Sequence, residues 1–203
     1  MTKVYPNLNQ DIIQSEEEEF NCGKGGGEAE VVLTVWRKSL LFNGHGFTVF
    51  DPKGNLLFRV DNYASESRGE IVLMDANGKP LLTIKRKRLS LSEHWLVYTG
   101  ECTTGQPLFS VRKNIAPLHK KHLLEITTTG HASRLHVKGS YTRRCCSVLD
   151  DTCREVATVK CKELPSGSGA AFGRDVFRLV VEPGFDPARA MAIVILLDQI
   201  FKR

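Results

Sequence analysis

The last stretch of the chain, DPARAMAIVILLDQIFKR (186–203), predicts a helix that is apolar on every side. Asp186 is a preferred N-cap residue, and Pro187 suits the first position of a helix. Residues 190–197 contain no polar side chain, whereas a packing helix at the surface would show a polar stripe. The helix would be about 25 Å long at 1.5 Å per residue, which is too short to span a bilayer. The sequence therefore predicts a helix that is surrounded by protein.

Short β-rich runs separated by turn residues precede this helix. Twelve candidate strands are found at 31–38, 47–51, 56–62, 70–75, 81–87, 94–100, 107–113, 122–127, 133–139, 144–150, 155–162 and 175–182. Connections this short leave no room for helices and predict antiparallel pairing. Eight strands make a barrel that its own side chains fill, so twelve strands would leave a lumen. We therefore predict a mainly β fold, in which a closed twelve-stranded antiparallel barrel encloses the hydrophobic C-terminal helix.

Repeated turns support this meander of hairpins. An Asp-x-x-Gly turn joins two apolar runs in VFDPKGNLLFRV (49–60) and in LMDANGKPLLTI (73–84). The aspartate accepts backbone hydrogen bonds from the turn, and the glycine supplies a positive φ. VLDDTCREVATV (148–159) is a looser copy, in which we expect Arg154 to take the place of the glycine.

Charge divides the chain into an acidic tail and a basic body. Of 23 acidic and 28 basic residues, seven and two lie in residues 1–30, which leaves −5 there and +10 in residues 31–203. The runs EEEE (16–19) and GKGGG (23–27) predict a flexible tail over 1–29, followed by one domain over 30–203. A basic body favours nucleic acid, phosphoinositide-rich membrane or acidic protein as partner, but many soluble domains are mildly basic without such a partner.

The N-terminal sequence MTKVYPNLNQ contains no apolar stretch of a secretory signal. We therefore expect an intracellular protein whose six cysteines are reduced. No run of about 20 apolar residues occurs, so no transmembrane span is expected.

Motifs for catalysis and for metal binding are missing. The sequence contains no Walker loop, HExxH or GxSxG motif, so we expect no enzyme activity, no catalytic residue and no cofactor. Two lysines separate His119 from His122, and Cys145, Cys153 and Cys161 lack the close pairing of zinc ligands. We therefore expect no metal site.

The densest basic cluster is the best functional signal. The candidate residues for binding a lipid headgroup or another anion are Lys85, Arg86, Lys87, Arg88, Arg112 and Lys113. Strand alternation places Lys85 and Lys87 together on the solvated face, and Arg86 on the interior side near the rim. Lysine and arginine both bind phosphate groups. The alternative is a solvated strand end that discourages edge-to-edge aggregation.

Four stretches resemble the LURP-one-related proteins of plants: residues 33–63, 73–91, 94–101 and 172–201. The family's fold resembles the C-terminal domain of tubby proteins and the phospholipid scramblases, a twelve-stranded barrel around a hydrophobic helix. One departure is Gly44 in FNGHGF, where cysteine is common in the family.

The resemblance implies a relation to membrane-tethered transcription regulators and to defence against pathogens. Together with the basic body and the missing catalytic motifs, it predicts a noncatalytic protein that binds phosphoinositides. We expect a location in the cytoplasm, at the periphery of the plasma membrane or in the nucleus. One alternative is a DNA-binding regulator, which the charge supports although no recognition helix is expected outside the barrel. Another is a scramblase-like lipid-handling protein, against which the missing transmembrane span and calcium loop argue.

Overall fold

The computed structural model describes residues 29–40, 46–61, 69–87, 93–114, 122–130, 133–162 and 173–201. The predicted tail, apart from residue 29, lies outside the described residues, as do Gly44 and Arg88.

Twelve strands and one helix make up the described part of the chain. They are β1 (Val31–Trp36), β2 (Phe47–Phe50), β3 (Leu56–Val60), β4 (Glu70–Asp75), β5 (Pro80–Arg86), β6 (His94–Thr99), β7 (Phe109–Lys113), β8 (His122–Thr128), β9 (Arg134–Ser140), β10 (Cys145–Leu149), β11 (Glu155–Cys161), β12 (Val176–Val181) and α1 (Pro187–Phe201). Each strand pairs antiparallel with its neighbours in the chain, and β1 pairs with β12, so the barrel is closed. The predicted fold class is confirmed.

Helix α1 fills the lumen of the barrel. The side chains from Ala190 to Leu197 are each at most 1% exposed. At the start of the helix, the Ala188 amide donates to the Asp186 carboxylate at 2.9 Å, as expected of an N-cap. Strand alternation supplies the surrounding wall; in β9, for example, Leu135 and Val137 are buried and His136 between them faces outward. The predicted apolar helix is therefore confirmed as the core.

The Asp-x-x-Gly turns are formed as predicted, with one correction. The amides of Gly54 and Gly78 donate to the carbonyls of Asp51 and Asp75, and both glycines have positive φ, 85° and 86°. In the third turn Cys153 occupies this position: its amide donates to the Asp150 carbonyl at 3.0 Å and its φ is 64°. The prediction that Arg154 replaces the glycine is therefore wrong by one residue, because Arg154 already begins the return of the chain.

The barrel has two different ends. Helix α1 begins at the end that carries the short Asp turns, where residues 186–189 lie beside Leu81 and Leu108. It ends at the opposite end, where the Phe201 ring lies 5.3 Å from the Lys113 ammonium. Strands β5 and β7 end there and β6 begins there. We call this the basic end, because Arg86, Lys87 and Arg112 lie at it.

A buried polar network attaches the end of α1 to the barrel wall at the basic end. Asp198 is 1% exposed; it accepts a hydrogen bond from the Tyr141 hydroxyl at 3.0 Å, and the Arg37 Nε lies 3.1 Å from it. Arg37 also contacts Asp175 at 3.3 Å, and the Arg144 guanidinium lies 4.1 Å from the Tyr141 ring centroid. Burial, and then the negative charge of Asp198, raise the pKa of Tyr141. Tyr141 is therefore a neutral hydrogen-bond donor.

Candidate anion-binding site

Three neighbouring strands bring the two predicted basic segments together. Strand β6 lies between β5 and β7. The Lys87 amide donates to the His94 carbonyl at 2.9 Å, and His94 is paired with Arg112 in the register of β6 and β7. Adjacent strands are about 4.8 Å apart, so the backbones of Lys87 and Arg112 are about 10 Å apart. Residues far apart in the sequence thus form one surface.

Three cations of this surface carry uncompensated charge. Arg86, Lys87 and Arg112 are exposed, and none forms an ion pair with a residue that the structure describes. Glu125 lies opposite Arg112 in the register of β7 and β8, but its ion pair is with Arg134 at 3.9 Å. We call Arg86, Lys87 and Arg112 the β5–β7 cluster.

Lys85 differs from the solvated lysine that strand alternation predicts. Its side chain is on the outer face, but its Nζ lies 2.6 Å from the Glu70 carboxylate and 3.3 Å from the Thr103 hydroxyl. The register of β4 and β5 places Glu70 directly opposite Lys85, and this pairing could not be deduced from the alternation within one strand. The solvated lysine of the predicted pair is therefore Lys87 alone.

Lys113 is also compensated. Its ammonium lies 3.6 Å from the Glu93 carboxylate and 5.3 Å from the centroid of the Phe201 ring. The ring face attracts a cation, so Lys113 helps to hold the end of α1. Arg88, the last of the candidate residues in this segment, lies outside the described residues.

His94 is a member of this surface that was not among the predicted residues. It is 6% exposed, and its Nε2 has no hydrogen-bond partner in the described part of the chain. Burial lowers the pKa of His94, and the positive charges of Arg112 and Lys87 lower it further. The imidazole therefore senses the positive potential between the two cations. As the first residue of β6 it could have been placed on the outer face by alternation, but its neighbours depend on the register.

A second basic surface lies on the outer wall of β10, β11 and β12. It is a groove of about 600 Å³, and its lining includes Arg143, Ser147, Glu155, Thr158, Lys160 and Arg178. We call it the β10–β12 groove. None of its three cations was among the predicted residues, and Lys160 and Arg178 are each the single cation of their strand. Only the register of β11 and β12 places them side by side.

The other sequence motifs have structural roles. The side chains of Asp51, Asp75 and Asp150 accept backbone hydrogen bonds within their own turns. The five described cysteines have free thiols, and no group of three or more His, Cys, Asp or Glu side chains in the described ranges could hold a metal ion. Within these ranges, no helix is long and apolar enough to span a membrane.

Comparison with known proteins gives consistent matches. A family model described as LURP-one-related matches residues 31–198. Protein LURP-one-related 8 of Arabidopsis thaliana is 46% identical, over 100% of this chain and 99% of its own length. Protein LURP-one-related 5 of the same plant is 42% identical, over 83% of this chain and 82% of its own length. An X-ray structure of a protein from Arabidopsis thaliana matches with a TM-score of 0.62 and 25% identity, covering 86% of this chain and 93% of that one.

Proposed function

This chain belongs to the LURP-one-related family, and within that family we propose that it is a noncatalytic module that binds anionic phospholipid headgroups, phosphoinositides in particular. The observation that carries the proposal is the β5–β7 cluster, in which Arg86, Lys87 and Arg112 have no ion-pair partner among the described residues. The module would be a peripheral protein on the cytoplasmic side of the plasma membrane.

The position of the cluster suits a flat anionic surface. Its residues lie where β5 and β7 end, so a membrane plane at the basic end of the barrel can approach all three. Lysine attracts phosphate as a compact charge, and arginine can form two parallel hydrogen bonds to it. Each cation near an anionic membrane contributes about 1 kcal/mol, so three give a useful but reversible affinity.

The wider roles implied by the family resemblance stay predictions. These are a relation to tubby and scramblase proteins, membrane-tethered transcription regulation, a nuclear location and defence against pathogens. Many DNA-binding domains place a helix in a groove of the DNA. The helix that the structure describes lies inside the barrel and cannot do so. Phosphate recognition at the barrel end needs no such helix.

Charge reversal at Lys87 and Arg112 together is expected to weaken binding to phosphatidylcholine vesicles that contain phosphatidylinositol bisphosphate. Loss of two cations at about 1 kcal/mol each corresponds to at least about a tenfold rise in Kd. The matched control reverses Lys53 and Lys79, two exposed lysines in the turns at the opposite end of the barrel. It changes the net charge equally and should bind as the wild type does. Co-sedimentation measures both, and equal binding by the two double variants would refute the proposed site.

His94 offers an independent test of where the headgroup binds. An anion between Lys87 and Arg112 reduces the positive potential at the imidazole, so the pKa of His94 should rise towards its usual range. An NMR titration of the His94 ring with and without soluble headgroup measures this shift.

The DNA-binding alternative is tested by comparing the affinity for a DNA duplex with the affinity for the vesicles at the same ionic strength. Salt sensitivity alone does not distinguish the two partners, because binding to either one is sensitive to salt. Tighter binding of the duplex than of the vesicles would favour the DNA-binding alternative instead.

A further inference from the structure

The β10–β12 groove contains two like charges held side by side. Lys160 and Arg178 are directly opposite each other in the register of β11 and β12, and both are exposed. Side chains opposite each other have Cβ atoms about 4.5–5.5 Å apart, and like charges at that distance destabilise the pair. Neither residue forms an ion pair with a described residue. An anion between them would remove this repulsion.

The floor of the groove carries hydroxyl groups beside these cations. Ser147 is paired with Thr158 in the register of β10 and β11, the strand pair next to β11 and β12. The Thr158 hydroxyl is within 3.3 Å of Glu155, which is the acidic residue of the groove lining. Glu155 starts β11 and is five positions from Lys160, so along the strand the two lie about 16 Å apart. The half of the groove at Lys160 and Arg178 is therefore cationic.

Two arginines close the groove at the turn before β10. Arg143 is exposed on this turn. Arg144 is 5% exposed and fixed in place, since its Nε donates to the Arg174 carbonyl at 2.8 Å and its guanidinium lies over the Tyr141 ring. The Nη1 of Arg144 is buried without a hydrogen-bond partner in the part of the chain that the structure describes. The groove thus combines a rigid arginine with three exposed cations.

We propose that the β10–β12 groove is a second binding site, separate from the β5–β7 cluster, for a ligand that carries a phosphate monoester. Such a group has a charge of about −1.5 to −2 and three strong acceptor oxygens, which match Lys160, Arg178 and Arg143. The volume of about 600 Å³ leaves room for the rest of a small molecule. The cationic half of the groove lies on the outer wall near the basic end, since Lys160 is the last residue but one of β11 and Arg143 is in the turn before β10. A soluble phosphate and a lipid headgroup share the chemistry that this site requires, and the two arms of the experiment distinguish these sources.

The test uses the full chain, soluble inositol trisphosphate as the probe, and isothermal titration calorimetry. Exchanging Lys160 and Arg178 together for glutamine should weaken binding of the probe at least about tenfold, because two charged hydrogen-bond donors are lost. The matched control exchanges Lys53 and Lys79, the exposed lysines at the opposite end of the barrel, for glutamine and should bind the soluble probe as the wild type does. Without ligand, the groove variant should melt at or above the wild-type temperature, because the repulsion between the opposed cations is gone.

Vesicles with phosphatidylinositol bisphosphate form the second arm of the experiment. If the groove variant loses the soluble probe and keeps the vesicles, the site and its soluble ligand class are supported. If it loses the vesicles while the soluble probe stays bound, the site is supported with a lipid headgroup as its phosphate source. Unchanged binding of both would overturn the proposal, as would a wild-type protein that binds neither. The proposed function fails by a different result, which is unchanged vesicle binding in the variant of Lys87 and Arg112.

Discussion

Replacement of Leu196 by alanine is expected to lower the free energy of unfolding by about 2–5 kcal/mol. Leu196 is fully buried in α1, and the twelve strands around the helix form a closed wall. A closed barrel cannot easily contract around a missing side chain, so the cavity should persist and the cost should lie in the upper part of this range. A domain stable by about 5–15 kcal/mol would lose a large share of its stability.

Urea unfolding of the two alanine variants Leu196→Ala and Leu40→Ala measures this loss. Leu40 is 56% exposed, so the same chemical change there should alter stability by less than about 0.5 kcal/mol. Comparison of the slopes with denaturant shows whether both variants unfold in the same two-state manner. Equal midpoints for the wild type and Leu196→Ala would refute a helix that forms the core.

Ile195→Lys distinguishes a core helix from a membrane anchor. Ile195 is fully buried, so a lysine there would place an ammonium group in the lumen without water. The variant should fail to fold or should melt far below Leu196→Ala. On a surface anchor the same change would reduce membrane association and leave the barrel folded.

The fold could be predicted from the sequence because each element depends on residues close together in the chain. The alternation in β9, the Asp turns and the apolar run 190–197 are all local patterns. Closure of the barrel then follows from two facts together: twelve strands enclose a lumen, and the helix must be buried. The error at Cys153 was also local and changed one turn only.

The candidate site was less predictable because it depends on which residues face each other across strands. The pattern within one strand does not contain the register of its neighbours, and a shift of one residue moves every side chain to the other face. The sequence therefore identified the basic segment around Lys87. It did not indicate that Glu70 neutralises Lys85, that His94 lies beside Arg112, or that Lys160 faces Arg178.

Asp198 was a further signal that the sequence contained. It is the one charged residue after Arg189 in the described part of α1. A carboxylate in a helix that is otherwise buried requires partners, because an unpaired buried charge is very costly. The structure supplies Arg37 from the segment after β1 and Tyr141 from the turn after β9. The identity of these partners could not be inferred without the barrel.

Exchange of Arg37 for methionine is expected to cost about 3 kcal/mol of stability. Removal of one partner from a buried ion pair costs about 3–5 kcal/mol, and the lower end applies because 26% of the Arg37 side chain is exposed. The double variant Arg37→Met and Asp198→Leu should recover at least half of the loss, since no charge is then left buried. Recovery should be incomplete, because the Tyr141 hydroxyl loses its acceptor.

Thermal and urea unfolding of the single and double variants form a double-mutant cycle for this pair. Arg134→Met is the matched control: Arg134 is 65% exposed and 3.9 Å from Glu125, so the same substitution should cost less than about 1 kcal/mol. A loss in Arg37→Met no larger than in Arg134→Met would contradict the network. A double variant that is less stable than Arg37→Met would also contradict the network, because the Asp198 carboxylate would then stabilise the fold even without its arginine. If the expected result is obtained, Arg37 is the residue that stabilises the buried Asp198 carboxylate near the end of α1.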